Sequence, residues 1–198
     1  MRTHVLIALF ALSTTGCSSV VPYRFTFDGT SHVQRGVRVH ATPDYHGVTV
    51  QVHNRSSEAV LILWDESSFV DAQGIAHPVV HTGIQLAERT QPQLPTVIPP
   101  KAMVRQRIVA TDLVRFNRTR RGNQWDVKDH LPRGRAARQL VGKSIRLYLQ
   151  LASKEQRRWQ VDLTMKVKEI EQDMFLQTYP RVRNAASHLH ARLDSPMR

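Results

Sequence analysis

Apolar and polar side chains alternate with a period of two along much of the chain. Tyr23, Phe25 and Phe27 are separated by Arg24 and Thr26, with Asp28 beyond. Val37 and Val39 flank Arg38, and Val48, Val50 and Val52 alternate with Thr49, Gln51 and His53. Ile145, Leu147, Leu149 and Leu151 enclose Arg146, Tyr148 and Gln150. The longest run sets Trp159, Val161, Leu163, Met165 and Val167 against Gln160, Asp162, Thr164, Lys166 and Lys168. Side chains of a strand point to alternate faces, so such a run buries one face and wets the other. On a helix the same five apolar residues would scatter around the axis. Residues 59–64 are apolar at consecutive positions and predict a strand covered on both faces.

Turn formers punctuate these runs. Asn54-Arg55-Ser56-Ser57, Asp71-Ala72-Gln73-Gly74 and Ser153-Lys154-Glu155-Gln156 each separate two expected strands. The pattern predicts an all-β domain over residues 23–176. Its expected form is an antiparallel β-sandwich with immunoglobulin-like topology, of about seven to nine strands. At most one or two short helices are expected, one near residues 135–141. Residues 91–101 carry Pro92, Pro95, Pro99 and Pro100. Proline has no N–H to donate, so this stretch is expected to be extended and without ladder bonds. Residues 115–138 read as a second long connection, and residues 177–198 as a flexible basic tail.

The N-terminus has a different character. Arg2 precedes an unbroken apolar run from Val5 to Leu12, and small residues then lead to Gly16 and Cys17. That order is the positive region, apolar core and small-residue cleavage site of a secretory signal. The apolar run is too short to span a bilayer, which takes about 20 residues. The ending Thr-Thr-Gly-Cys17 resembles the lipobox of bacterial lipoproteins, although Thr14 stands where that family usually has an aliphatic residue. The resemblance implies that residues 1–16 are a signal peptide and that the Cys17 thiol carries lipid. Residues 17–22 then form a tether. Ser18 is not aspartate, so the resemblance implies the outer membrane, facing the periplasm. The stretch from Leu63 to Gly74, with His77, His81, Gly83 and 95–100 (Pro-Thr-Val-Ile-Pro-Pro), is similar to a run found in exported bacterial proteins. It brings no activity with it.

Composition fits this address. The 198 residues are 41% apolar, which favours a folded domain, and 28 Lys and Arg against 16 Asp and Glu leave a formal charge of +12. A balance this basic favours anionic partners: lipid headgroups, lipopolysaccharide or acidic polymers. Eight cations cluster in one segment: Arg115, Arg118, Arg120, Arg121, Lys128, Arg133, Arg135 and Arg138, offset by Asp126 and Asp129. Arginine forks bind phosphate and carboxylate, and Trp125 lies among them. This is the candidate anion-binding site. Nucleic acid is not expected, because no recognition helix or stacking motif accompanies the charge. Cys17 is the one cysteine, which excludes an intramolecular disulfide and a multi-cysteine metal site.

Other chemistry is weaker. His77 and His81 lie four apart, but on a strand that spacing is about 13 Å, too far to share a metal without help from His40, His46 or His53. His188 and His190 sit in the tail. Asp65, Glu66 and Asp71 invite comparison with a catalytic carboxylate pair, yet Asp65, Ser67, Ser68 and Asp71 suit turn capping better. Ser67 and Ser68 lack a nucleophile elbow, and phosphate- or dinucleotide-binding glycine motifs are missing, so no cofactor is expected. The sequence therefore predicts a non-catalytic envelope interaction module. Its rivals are an anionic-ligand binder using residues 115–138 and a metal-dependent enzyme using His77 and His81.

Overall fold

The computed structural model describes residues 23–119, 122–155 and 157–172. In chain order the strands are β1 (Tyr23–Asp28), β2 (Ser31–Gln34), β3 (Val37–Pro43), β4 (Val48–Asn54), β5 (Val60–Val70) and β6 (Ala76–His81). They continue as β7 (Thr96–Ile98), β8 (Met103–Ala110), β9 (Val114–Thr119), β10 (Gly122–Val127), β11 (Ser144–Ser153) and β12 (Arg158–Gln172). Helical structure among the described residues is confined to three 3-10 segments, Leu86–Glu88, Thr111–Leu113 and Gly134–Leu140. The last falls where a short helix was expected.

Pairing is antiparallel along one path, β1-β12-β11-β5-β6-β8-β4-β3-β2, with β7 beside β5 and β9-β10 as a separate ribbon. The two halves expected of a sandwich are joined through β6, and the path curls into a half-barrel. Its ends meet: β1 and β2 close opposite ends of the path, yet only Gly29 and Thr30 connect them. Gly29 has φ +77°, and a Cβ there would stand 2.2 Å from the Thr164 carbonyl oxygen of β12. Only glycine lets the chain cross the seam at that distance.

Alternation becomes burial as the pattern requires. Trp159, Val161, Leu163, Met165 and Val167 of β12 are buried, as are Ile145, Leu147, Leu149 and Leu151 of β11. They meet Val37 and Val39 of β3, Val48, Val50 and Val52 of β4, and Ile62 and Trp64 of β5 in one core. Each such side chain stabilises the fold by about 1.5–3 kcal/mol relative to exposure. A smaller cluster of Leu131, Leu140 and Val167, with Phe25, Tyr45 and Ile170 against it, plugs one end of the half-barrel.

The bend originates in β5. Leu63 pairs with Gln150 and Ser68 with Tyr148, so Trp64 to Ser67 stand opposite Leu149 alone. This wide bulge bends the strand. Ser67 spans its base, donating its hydroxyl to Leu63 O (2.8 Å) and accepting from Gln150 N–H (3.1 Å). Past the bulge β5 changes neighbours: Val60 to Ile62 pair with β7, and Ser68 to Val70 with β6. β6 then leaves β5 for β8. Gln93 fills the gap, its Nε2 donating to Val79 O (2.7 Å) and its Oε1 accepting from His81 N–H (3.3 Å). Asp65, in the bulge, accepts the Gln93 backbone N–H at 3.1 Å.

Three expectations change. Residues 91–101 do contribute ladder bonds, because Thr96-Val97-Ile98 has free N–H groups between Pro95 and Pro99 and forms β7. Residues 115–138 are not one connection but contain the β9-β10 ribbon. These segments, with short β2 and the arginine-rich β8, raise the strand number from the expected seven to nine to twelve among the described residues. Asp71-Ala72-Gln73-Gly74 is the expected tight turn: Asp71 Oδ1 accepts the N–H groups of Gln73 and Ile75, both at 2.9 Å, and Gly74 has φ +85°.

Ser67→Ala and Gln93→Leu each leave buried backbone groups unpaired and should cost about 1–3 kcal/mol. Urea unfolding should show earlier midpoints with unchanged slopes. A Gln93→Leu midpoint equal to wild type would remove Gln93 from its bridging role.

Candidate functional site

The β9-β10 ribbon separates its side chains by register. Val114, Phe116 and Arg118 face Val127, Trp125 and Asn123, while Arg115 and Asn117 face Asp126 and Gln124. One side is thus aromatic and aliphatic except for the Arg118–Asn123 pair at its end, and the other is polar. Phe116 and Trp125 pack with ring centroids 5.0 Å apart, and the Arg89 guanidinium lies 4.9 Å from the Trp125 ring. Phe116 remains 44% exposed. An exposed Phe116 backed by half-buried Trp125, with arginines nearby, suits an interface where apolar and anionic groups lie together.

The eight predicted cations do not form one site. Arg115 and Arg118 are exposed on the ribbon and Lys128 is exposed at its foot. Arg120 and Arg121, between β9 and β10 in the sequence, lie outside the described residues. Arg133 is committed elsewhere: its Nε and Nη2 donate to Asp129, and its guanidinium lies 4.8 Å from the Tyr45 ring. Arg138 is exposed on the 3-10 segment that carries Arg135. Cys17 and the tail with His188 and His190 also lie outside the described residues. Arg89 and Phe116 were not singled out from sequence, though the alternation Val114-Arg115-Phe116 contained the signal for the latter.

The ribbon's foot is fixed by polar contacts. Lys128 N–H donates to Leu113 O at 2.9 Å. Asp129 also takes His46 Nδ1 at 3.1 Å, and Arg107 Nη2 donates to Asp44 at 2.7 Å. Beside the foot, buried His77 lies between two carboxylates, Nδ1 against Asp112 (2.7 Å) and Nε2 against Asp71 (3.2 Å). Both ring nitrogens face carboxylates, an arrangement that favours the imidazolium, the form in which both donate. Burial works against that charge. The hydrogen bonds and charges of Asp112 and Asp71 outweigh it and raise the His77 pKa above its ordinary 6.5. This pin ties the β5-β6 turn to the segment from which the ribbon springs.

His77 therefore has no lone pair for a metal. His81 differs: Nδ1 donates to Thr82 O (2.6 Å), the ring stacks on Trp64 at 4.8 Å, and Nε2 is buried without a hydrogen-bond partner among the described residues. Burial lowers its pKa. Among the described residues no group of three or more His, Cys, Asp or Glu is placed to hold a metal ion. The acidic residues of β5 and the turn after it are likewise dispersed: Asp65 holds Gln93, Glu66 pairs with Arg158 at 2.8 Å, and Asp71 holds its turn and His77. His130 lies near the ribbon's foot, edge-on to Phe69 at 5.0 Å, and burial lowers its pKa to about 4.

Fold and site together define an antiparallel all-β half-barrel bearing a basic, aromatic ribbon. No protein-family model matches the sequence, and no curated protein matches it. Among the described residues no helix is long and apolar enough to cross a membrane.

The histidines give opposed pH dependences. His77 binds its proton more tightly folded than unfolded, so its contribution is full below about pH 6.5 and is lost as pH rises through its raised pKa. His130 is neutral when folded, so stability is lost as pH falls from about 6.5 towards 4. Unfolding midpoints against pH should lose the alkaline decline in His77→Gln and part of the acid decline in His130→Gln. Parallel profiles for wild type and His77→Gln would contradict the imidazolium assignment.

Proposed function

We propose that the chain is a bacterial envelope lipoprotein, anchored through lipid on Cys17, whose β domain is a non-catalytic interaction module. The lipobox-like Thr-Thr-Gly-Cys17 and the apolar run before it support the address. The dispersal of the acidic and histidine side chains into turn, plug and pin roles supports binding over catalysis. The outer membrane, facing the periplasm, is the compartment that Ser18 favours.

The observation that carries the binding role is the ribbon. It stands apart from the main sheet, with Phe116 exposed and Arg115, Arg118 and Lys128 free to face outward. Its partner is an anionic envelope surface of phosphate-bearing headgroups. Each cation near such a surface contributes about 1 kcal/mol, and the aromatic pair suits the headgroup level.

Two experiments test this. Cells fed labelled palmitate should mark the wild-type chain and leave Cys17→Ala unmarked; equal labelling removes the anchor. The chain without residues 1–17 should sediment with vesicles rich in phosphatidylglycerol and much less with phosphatidylcholine. Binding should weaken steeply with salt and fall about tenfold or more in Arg115→Ser/Arg118→Ser. Binding indifferent to salt and to those substitutions would overturn the ribbon as the contact surface.

A further inference from the structure

The end of the half-barrel opposite the plug is open. Between the β2-β3 turn, the turn after β4 and the β11-β12 turn lies a depression of about 560 Å³. Its volume is that of a small-molecule site, and barrel mouths are common places for one. Its wall is set by register. Leu151 of β11 faces Trp159 of β12, and Val60 of β5 faces Ser153, so Trp159, Ser153 and Val60 line one continuous strip.

Two polar groups in that strip are uncommitted. Trp159 is 9% exposed and Ser153 is 7% exposed. The indole Nε1 and the Ser153 Oγ are enclosed and have no hydrogen-bond partner among the described residues. Leaving such a group unpaired is costly, and native proteins keep few of them. The indole can only donate, so whatever satisfies it presents an acceptor.

Charge narrows the class. The Arg35 guanidinium lies 5.5 Å from the Trp159 ring and makes no ion pair among the described residues. Arg157, by contrast, is matched by Glu155 at 2.9 Å and Glu58 at 3.4 Å. One uncommitted positive charge beside two carboxylates suits a monoanion better than a dianion. The rim is preorganised. Arg35 is held at φ +50° in a tight turn whose Gly36 carbonyl accepts Arg55 N–H at 2.8 Å. Buried Asn54 secures the neighbouring turn by donating to Glu58, Ile98 and Pro99 carbonyls at 2.7–3.0 Å.

From this geometry we infer that the open end binds a small organic carboxylate. The carboxylate lies against Arg35, and a small outward turn of the Trp159 and Ser153 side chains presents the indole Nε1–H and the Oγ–H to acceptor oxygens of the ligand. The site is separate from the ribbon and does not depend on the lipid anchor.

Nitrogen-15-labelled full-length chain in mild detergent tests the inference through the Trp159 indole N–H resonance. N-acetylglycine and a panel of N-acetylated dipeptides at millimolar concentration should shift it saturably, while N-acetylglycinamide should not. Arg35→Asn removes the charge and keeps a residue that tolerates positive φ. It should weaken binding about tenfold or more, as expected for loss of a charge-assisted contact. Ser153→Ala should weaken binding without lowering the urea midpoint of the free protein, because it deletes an unpaired hydroxyl. Three results overturn the inference: no saturable shift with any carboxylate, as for a pocket holding water only; saturation by glycerol phosphate alone; or Ser153→Ala lowering the midpoint while leaving binding unchanged.

Discussion

Four residues of a central strand stand opposite a single residue of its neighbour, and the shape of the domain follows from that mismatch. A straight β5 would carry one neighbour on each side along its whole length. With Trp64 to Ser67 bulged, β5 takes β7 before the bulge and β6 after it, which frees β6 to pass to β8 and carry the sheet round. The device is polar. Ser67 replaces a ladder contact across the base of the bulge, and Gln93 supplies β6 with the amide groups that β5 no longer offers. Buried polar atoms are tolerated there because each is paired, which also fixes one curvature among those an apolar core alone would allow.

The sequence was most legible where one face is wholly buried. The alternation from Trp159 to Val167 and from Ile145 to Leu151 can be read only as strands, and both are. Legibility failed where strands are held by something other than alternation. β7 is three residues between prolines and exists because β5 offers an edge; β8 has Arg105, Gln106 and Arg107 in its middle; β9 and β10 are polar on one side and lie outside the main sheet. The bulge escaped for a related reason. Asp65-Glu66-Ser67-Ser68 has turn-forming side chains, and they do bond as turn residues do, but within a strand of eleven residues.

The candidate site was partly legible. The cluster of cations was evident, but its division was not, because the contacts that withdraw Arg133 from it come from Asp129 and Tyr45 and depend on the fold. His77 was only a weak metal-ligand candidate, because strand spacing sets it too far from His81. What decides its chemistry is Asp112, thirty-five residues away, which no local pattern connects to it. Trp159 looked like one more core residue; its ring is buried like its neighbours, and only its nitrogen differs.

The plugged end has a consequence for the proposed anchor. Phe25 of β1 packs beside the plug, so Tyr23 begins the domain there, next to Gln172 at the far end of β12 and on the same side as the ribbon's foot. A lipid on Cys17 would therefore deliver the ribbon to the bilayer at high effective concentration, turning its docking into an intramolecular event. A ribbon with millimolar intrinsic affinity would then suffice to set the domain's orientation, with the open mouth turned towards the aqueous space.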